Sequence, residues 1–143
     1  MLAVDTNVLV YAFFSDSPFH DAARAAITDL AQSPAAWAIP WPCVHEFYAV
    51  ATNPKIFPGR GLPARARTQI DAWLSSPSLQ LLSETANHWE VLSRLVASGR
   101  IAGPAVHDAR IAALCLTHGV TELLTLDRDF GRFPELTVRS ILS

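Results

Sequence analysis

Two apolar runs, one near each end of the chain, each stop at an aspartate, and this pairing limits the possible fold more than any other feature. Leu2-Ala-Val-Asp5 continues as Thr6-Asn-Val-Leu-Val-Tyr11, and Leu123-Leu-Thr-Leu-Asp127 leads into Arg128-Asp-Phe-Gly-Arg-Phe133. Short apolar runs bounded by polar turns read as buried strands of a parallel sheet, and open α/β sheets collect ligands beyond the carboxyl ends of such strands. Asp5 and Asp127 are therefore expected to meet in one crevice.

Strand and helix signals alternate between these ends. Strands are expected at Leu2 to Val4, Trp37 to Ile39, Leu79 to Leu82, Glu122 to Thr125 and, weakly, Thr137 to Arg139. A helix opening near Thr6 runs through Tyr11, and Ser15-Asp-Ser-Pro18 signals a second, with proline in its first turn and an Ala-rich body to Leu30. Pro40 and Pro42 open a third helix to Thr52, and others are expected over Ala64 to Leu74 and Thr85 to Ala97. A last helix runs from Gly103-Pro104 to His118, with Gly119 at its C′ position. Asn53 to Pro63 holds three prolines and two glycines and reads as a loop. The alternation predicts a three-layer α/β/α sandwich around a mostly parallel central sheet, in one domain over residues 1–143.

A chain of 143 residues buries a sizeable core without staples. Its 50% hydrophobic content, 17% charged content and mean hydropathy of +0.23 exceed what that core requires, so some apolar surface is expected to meet a partner. The net charge of −2 does not by itself advertise nucleic-acid binding. Cys43 and Cys115 lack CxxC or Cys/His spacing, which speaks against zinc and against a secreted disulfide framework; both are expected to pack as small apolar residues. The opening Met-Leu-Ala-Val-Asp has no basic segment of a signal peptide, and no apolar run approaches the roughly 18 residues of a membrane span. A cytoplasmic location is the expectation.

Two further acids sit in helical, apolar surroundings. Asp108 shares a stripe with Ala105, Ala109, Ala112 and Cys115, and Glu46 falls beside Cys43, Ala49 and Val50, a side expected to be buried. A carboxylate facing a core costs on the order of several kcal/mol unless it is paired, hydrogen-bonded or metal-bound. Each acid has an ordinary alternative: Asp5 or Asp127 as a helix N-cap, Glu46 as a solvated residue, Asp108 paired with Arg110 or a distant arginine. Four such coincidences together are much harder to accept. An all-oxygen donor set suits Mg²⁺ or Mn²⁺, which orients a phosphodiester, activates water and stabilises a leaving oxygen, with two ions about 4 Å apart able to divide those roles.

In Val4-Asp-Thr-Asn7, the Glu46 helix, Val106-His-Asp-Ala-Arg-Ile-Ala112 and Leu124-Thr-Leu-Asp-Arg-Asp-Phe130, taken in this order, the chain resembles the PIN-domain family, and within it the VapC-type toxins of toxin–antitoxin modules. The resemblance spans essentially the whole chain. It implies a Mg²⁺- or Mn²⁺-dependent endoribonuclease that cleaves structured RNA such as transfer or ribosomal RNA, with Asp5, Glu46, Asp108 and Asp127 at the family's acidic positions. Asp5 and Asp108 would be the most direct metal ligands, Glu46 and Asp127 completing the sphere directly or through water. Thr6 and Asn7 would steady the site. Asp129 competes with Asp127 for the fourth position, since either can face the metal or cap the next turn. The resemblance also implies a homodimer and a separate VapB-type antitoxin.

Lys55, Arg60, Arg65 and Arg67 form a stretch without an acid and are candidates for gripping RNA phosphates. Two readings compete with the nuclease. A Mg²⁺-dependent phosphatase or phosphotransferase of the haloacid-dehalogenase type needs a second aspartate two residues after the first, where this chain has Asn7. The other is a catalytically silent RNA- or protein-binding module, against which the retention of all four acids argues.

Overall fold

In the computed structural model, which describes residues 1–56 and 63–142, five strands form one sheet in the order β3-β2-β1-β4-β5. They are β1 (Leu2–Val4), β2 (Trp37–Pro40), β3 (Leu79–Leu82), β4 (Glu122–Leu124) and β5 (Thr137–Arg139), and every pairing is parallel rather than mostly so. Leu2 registers with Trp37 on one side and Glu122 on the other, which brings the carboxyl ends of β1 and β4 level.

The helices are α1 (Thr6–Phe13), α2 (His20–Gln32), α3 (Trp41–Ala51), α4 (Pro63–Leu74), α5 (His88–Ser98) and α6 (Val106–Thr117). From β1 the chain steps outward to β2 and β3, then returns across the sheet to β4 and steps the other way to β5. Right-handed crossovers put α1 to α4 on one face and α5 with α6 on the other. The packing agrees: α1 lies against α2 and α3, α3 against α4, and α5 against α6. The direction of the connections reverses between β1 and β4, and such a switch point opens a crevice at the strand ends.

Local chemistry moves some boundaries from their expected places. The second helix starts at His20 because Ser17 turns back to donate its hydroxyl to the Tyr11 carbonyl at 2.8 Å, leaving Ser15 to Pro18 in a turn. Thr85 hydrogen-bonds the Asn87 side chain, so α5 opens at His88. Gly103–Ala105 is a 3₁₀ turn ahead of α6, entered with Gly103 at φ 63°.

The core lies on both faces of the sheet, its largest fully buried members being Trp37, Phe47, Phe130 and Phe133. Phe47 stacks edge-on against Phe13 and Trp73 and so ties α1, α3 and α4 together. Of the tryptophans, Trp37 and Trp73 belong to the core and Trp89 is 70% exposed. Cys43 and Cys115 are buried with free thiols, as expected for small apolar residues.

Candidate active site

Asp5 occupies the first position after β1, where its N–H bonds the Leu124 carbonyl at 3.0 Å, and it caps α1 by accepting from the Thr6 N–H at 2.8 Å through Oδ1. Capping is thus real, as Asp at that position favours. It does not exhaust the carboxylate: Oδ1 also accepts from the Cys43 thiol at 3.6 Å, and Oδ2 accepts from the Thr125 hydroxyl at 2.7 Å. The side chain is 5% exposed. Burial pushes its pKa up to about 6, and the Glu46 charge adds to the rise, against the opposing hydrogen bonds from Thr125, Thr6 and Cys43.

Thr125, just past β4, was not singled out by the sequence. Its hydroxyl oxygen also accepts from Asn7 Nδ2 at 3.1 Å and from the Asp127 N–H at 3.0 Å, and Asn7 Oδ1 accepts from the Leu126 N–H at 3.3 Å. These bonds lock the two strand ends together. The available signal was a lone hydroxyl inside the apolar run Leu123-Leu-Thr-Leu126, two residues before an aspartate.

Glu46 departs from expectation. The buried face of α3 carries Cys43, Val44, Phe47 and Ala51, whereas Glu46 and Ala49 are exposed and Val50 half-buried. The Cys43, Phe47, Ala51 spacing of four sets the core stripe, and Glu46 lies at its edge. From there Glu46 overhangs Asp5, with the Thr6 hydroxyl donating to its Oε2 at 3.3 Å.

Asp108 stands in the first turn of α6, half-buried. It is not paired with Arg110, whose guanidinium reaches Glu84 at 3.1 Å instead. Burial raises its pKa, and the neighbouring Asp127 and Asp129 raise it further, with Glu46 adding to them and Arg132 opposing. Carboxylate oxygens of Asp108, Asp127 and Asp129 lie within 4.8 Å of one another. Asp127 Oδ1 accepts from the Asp129 N–H at 2.9 Å, capping the turn Arg128–Arg132, while Asp129 is exposed.

A cleft of ≈ 350 Å³ brings Asp5, Thr6, Asn7, Glu46, Asp108 and Asp127 together against apolar walls of Val10, Val50 and Ile111. Among the described residues no basic side chain lines it. Of the expected basic segment, Arg65 sits over the Phe13 ring at 5.5 Å and faces a separate groove with Arg24 and His20. Lys55 and Arg67 are exposed, and Arg60 falls outside the described residues.

A PIN domain family model matches residues 2–136 of the chain. The Mycobacterium tuberculosis protein named Ribonuclease VapC48 is 30% identical over 139 residues, 97% of this chain and 96% of the relative. Ribonuclease VapC37 of the same species is 33% identical over 134 residues, 93% and 92% of the two chains. Two solved structures share the fold: VapBC2 of Rickettsia felis, at TM-score 0.66 and 23% identity over 97% of both chains, and the Sarcin-Ricin loop cleaving toxin VapC20 of M. tuberculosis, at TM-score 0.69 and 17% identity over 92% of this chain and 93% of that one.

Proposed function

The chain belongs to the PIN domain family, and from that premise we propose that it is a divalent-metal-dependent endoribonuclease, the toxin of a toxin–antitoxin pair. The observation that carries this reading is the convergence of Asp5, Glu46, Asp108 and Asp127 in one cleft at the strand ends. The ribonuclease names of its relatives, at 30% identity and above across nearly the full chain, support the activity. The substrate is structured RNA of the transfer or ribosomal class. VapC20, described as cleaving the Sarcin-Ricin loop, is a neighbour in fold.

The donor set fits a hard divalent cation. Asp5, Glu46, Asp108 and Asp127 line one cleft on which no lysine or arginine lies among the described residues. Asp5 and Asp108 both hold their protons more tightly than usual, chiefly through burial and secondarily through the neighbouring acids, a charge that a bound cation would offset. Asp5, Glu46, Asp108 and Asp127 would hold Mg²⁺ or Mn²⁺, with Asp129 within reach of the last two. When bound, the ion orients the scissile phosphate, activates the attacking water and offsets charge on the leaving oxygen.

The protein's own contribution is order. Asp5 is fixed by three hydrogen bonds, Glu46 is steadied by Thr6, and Asp127 is anchored through its N–H on Thr125 and its Oδ1 on the next turn. Supporting bonds of this kind set the orientation of ligands before substrate arrives. Val10, Val50 and Ile111 lower the polarity around the acids and strengthen their attraction for a cation.

The partners of this reading are a VapB-type antitoxin, in line with the toxin–antitoxin complexes among the fold neighbours, and a second copy of the chain in a homodimer. No helix among the described residues is long and apolar enough to cross a membrane, and the site of action is the cytoplasm, where these RNAs reside. The test is incubation of total cellular RNA with the purified protein in Mg²⁺ or Mn²⁺ and in EDTA, beside Asp5→Asn and Asp108→Asn. Discrete metal-dependent fragments lost in both variants are expected. Cleavage that persists in EDTA or in both variants, or no cleavage of RNA at all, would overturn the reading.

A further inference from the structure

A second cleft of ≈ 270 Å³ adjoins the acidic one and shares two walls with it, Glu46 and Ile111. Its remaining lining is of opposite character: Pro42, His45 and Ala49 from α3, and His107 and Arg110 from α6. The two histidines and the arginine each lie within two positions of a carboxylate of the first cleft, yet on the other side of their helices' rims. Neither imidazole is engaged in a hydrogen bond or ion pair among the described residues. Trp41 stacks on His45 with ring centroids 6.0 Å apart at 29°, which extends the aromatic surface at the lip.

We propose that this cleft is the subsite for the nucleotide next to the scissile phosphate, with Arg110 and His107 taking its phosphate and the Trp41–His45 pair its base. The inference rests on the endoribonuclease reading. The acidic cleft repels every phosphate that a bound cation does not neutralise, so a polyanion needs positive or donor groups directly beside it. These residues are the ones that the fold puts against Glu46, whereas Arg24 and Arg65 face a separate groove. An acidic peptide would use the arginine equally well. A half-exposed stacked aromatic pair favours a nucleotide, whose flat base single-stranded RNA sites accept on aromatic side chains.

Arg110 is held by Glu84 at 3.1 Å, with the two side chains 39% and 49% exposed, so the pair costs little to break and the arginine can swing to a phosphate. Removing Glu84 should therefore act opposite to removing Arg110.

The experiment measures binding of a single-stranded RNA oligonucleotide in EDTA, together with cleavage of total RNA in Mn²⁺, for wild type, Arg110→Ala, His107→Ala, Trp41→Ala, Glu84→Gln and the remote control Glu90→Gln. Arg110→Ala is expected to weaken binding about ten-fold and to flatten the salt dependence by roughly one unit of slope. Glu84→Gln should tighten binding more than Glu90→Gln does. Trp41→Ala should weaken binding without changing the salt slope, and circular dichroism of each variant separates these effects from misfolding. Wild type that binds and cleaves RNA with folded Arg110, His107 and Trp41 variants that match it would overturn the subsite alone. Loss of binding to an acidic peptide in those variants, with RNA binding intact, would do the same. Wild type that neither binds nor cleaves RNA would overturn the nuclease reading and the subsite with it.

Discussion

Thr125, just past β4, donates its hydroxyl hydrogen at 2.7 Å to Oδ2 of Asp5, just past the neighbouring strand β1. The same oxygen accepts from Asn7 Nδ2 and from the Asp127 N–H, so one hydroxyl uses its donor and both acceptor sites. Three residues from the two ends of the chain are set relative to one another by a single buried atom.

Replacement of Thr125 by valine keeps the shape and removes all three bonds. Buried groups left without partners make this cost roughly 2–4 kcal/mol of stability. Cleavage should fall by about 10–100-fold through displaced acids, while Thr125→Ser retains most of both. Urea denaturation and single-turnover cleavage of the two variants check this; a valine variant cleaving at the wild-type rate would mean that the hydroxyl does not set the acids.

β1 and β2 were readable from the sequence because an apolar run of three or four residues ending in Asp or Pro has few other uses, and the order of the acids along the chain was enough to collect them at the carboxyl ends of the central strands. Side-chain direction was harder. Glu46 was expected on a buried face, yet Cys43, Phe47 and Ala51 define that face and leave Glu46 at its rim, a rotation of one residue that composition cannot resolve. Thr125 was missed because a hydroxyl in a strand has many ordinary partners, and only the register of β1 with β4 shows that its partner is Asp5. The Arg110–Glu84 pair was equally hidden, joining residues 26 positions apart.

Asp5 predicts a pH dependence for the metal-free protein. Its carboxyl rises from 3.8 to about 6 on folding, so the folded state holds the proton more tightly than the unfolded chain. Stability from this group is therefore fully present below the unfolded value and is lost as pH climbs through about 6, a penalty of roughly 3 kcal/mol at neutral pH. Asp5→Asn removes the charge and keeps an oxygen for the Thr6 N–H, but its amide nitrogen cannot accept from the Thr125 hydroxyl, a pH-independent loss. In EDTA the stability of the variant relative to wild type should therefore rise by roughly 3 kcal/mol between pH 4 and pH 7.5. Mg²⁺ should stabilise wild type more than the variant. A difference between the two proteins that stays constant across this range would show that Asp5 titrates near its ordinary value.

The two thiols should be silent in the folded protein. Burial pushes Cys115 up to about 12 and Cys43 well above its usual value, and the adjacent Asp5 charge adds to both. Thiolate is the reactive form. Alkylation by iodoacetamide at pH 8, followed by mass spectrometry, should leave both unmodified until denaturant is added. Rapid native-state labelling of Cys43 would mean that the floor of the acidic cleft opens in solution.

Arg65 and Arg67 test whether RNA extends beyond the cleft. Both are exposed on α4, and Arg65 lies over Phe13 beside a groove distinct from the acids. Reversing both charges should weaken RNA binding and flatten its salt slope, with the cleavage step in saturating RNA unchanged because neither side chain reaches the acids. An unchanged salt slope would remove this segment from the RNA path.

Asp127 and Asp129 compete for the fourth acidic position, and their hydrogen bonding separates them. Asp127 lines the cleft half-buried and accepts from the Asp129 N–H, whereas Asp129 is exposed, although oxygens of both come within 4.8 Å of Asp108. Asp127→Asn keeps an amide oxygen for the capping bond, so it should fold like wild type and lose cleavage by about 100-fold. Asp127→Ala should in addition lose about 1 kcal/mol, the usual cost of removing such a cap. Asp129→Asn should stay within a few-fold of wild type. If Asp129→Asn is instead as inactive as Asp127→Asn while both remain folded, the cation is held by the triplet of Asp108, Asp127 and Asp129, and Asp5 then acts from the opposite wall rather than at the centre.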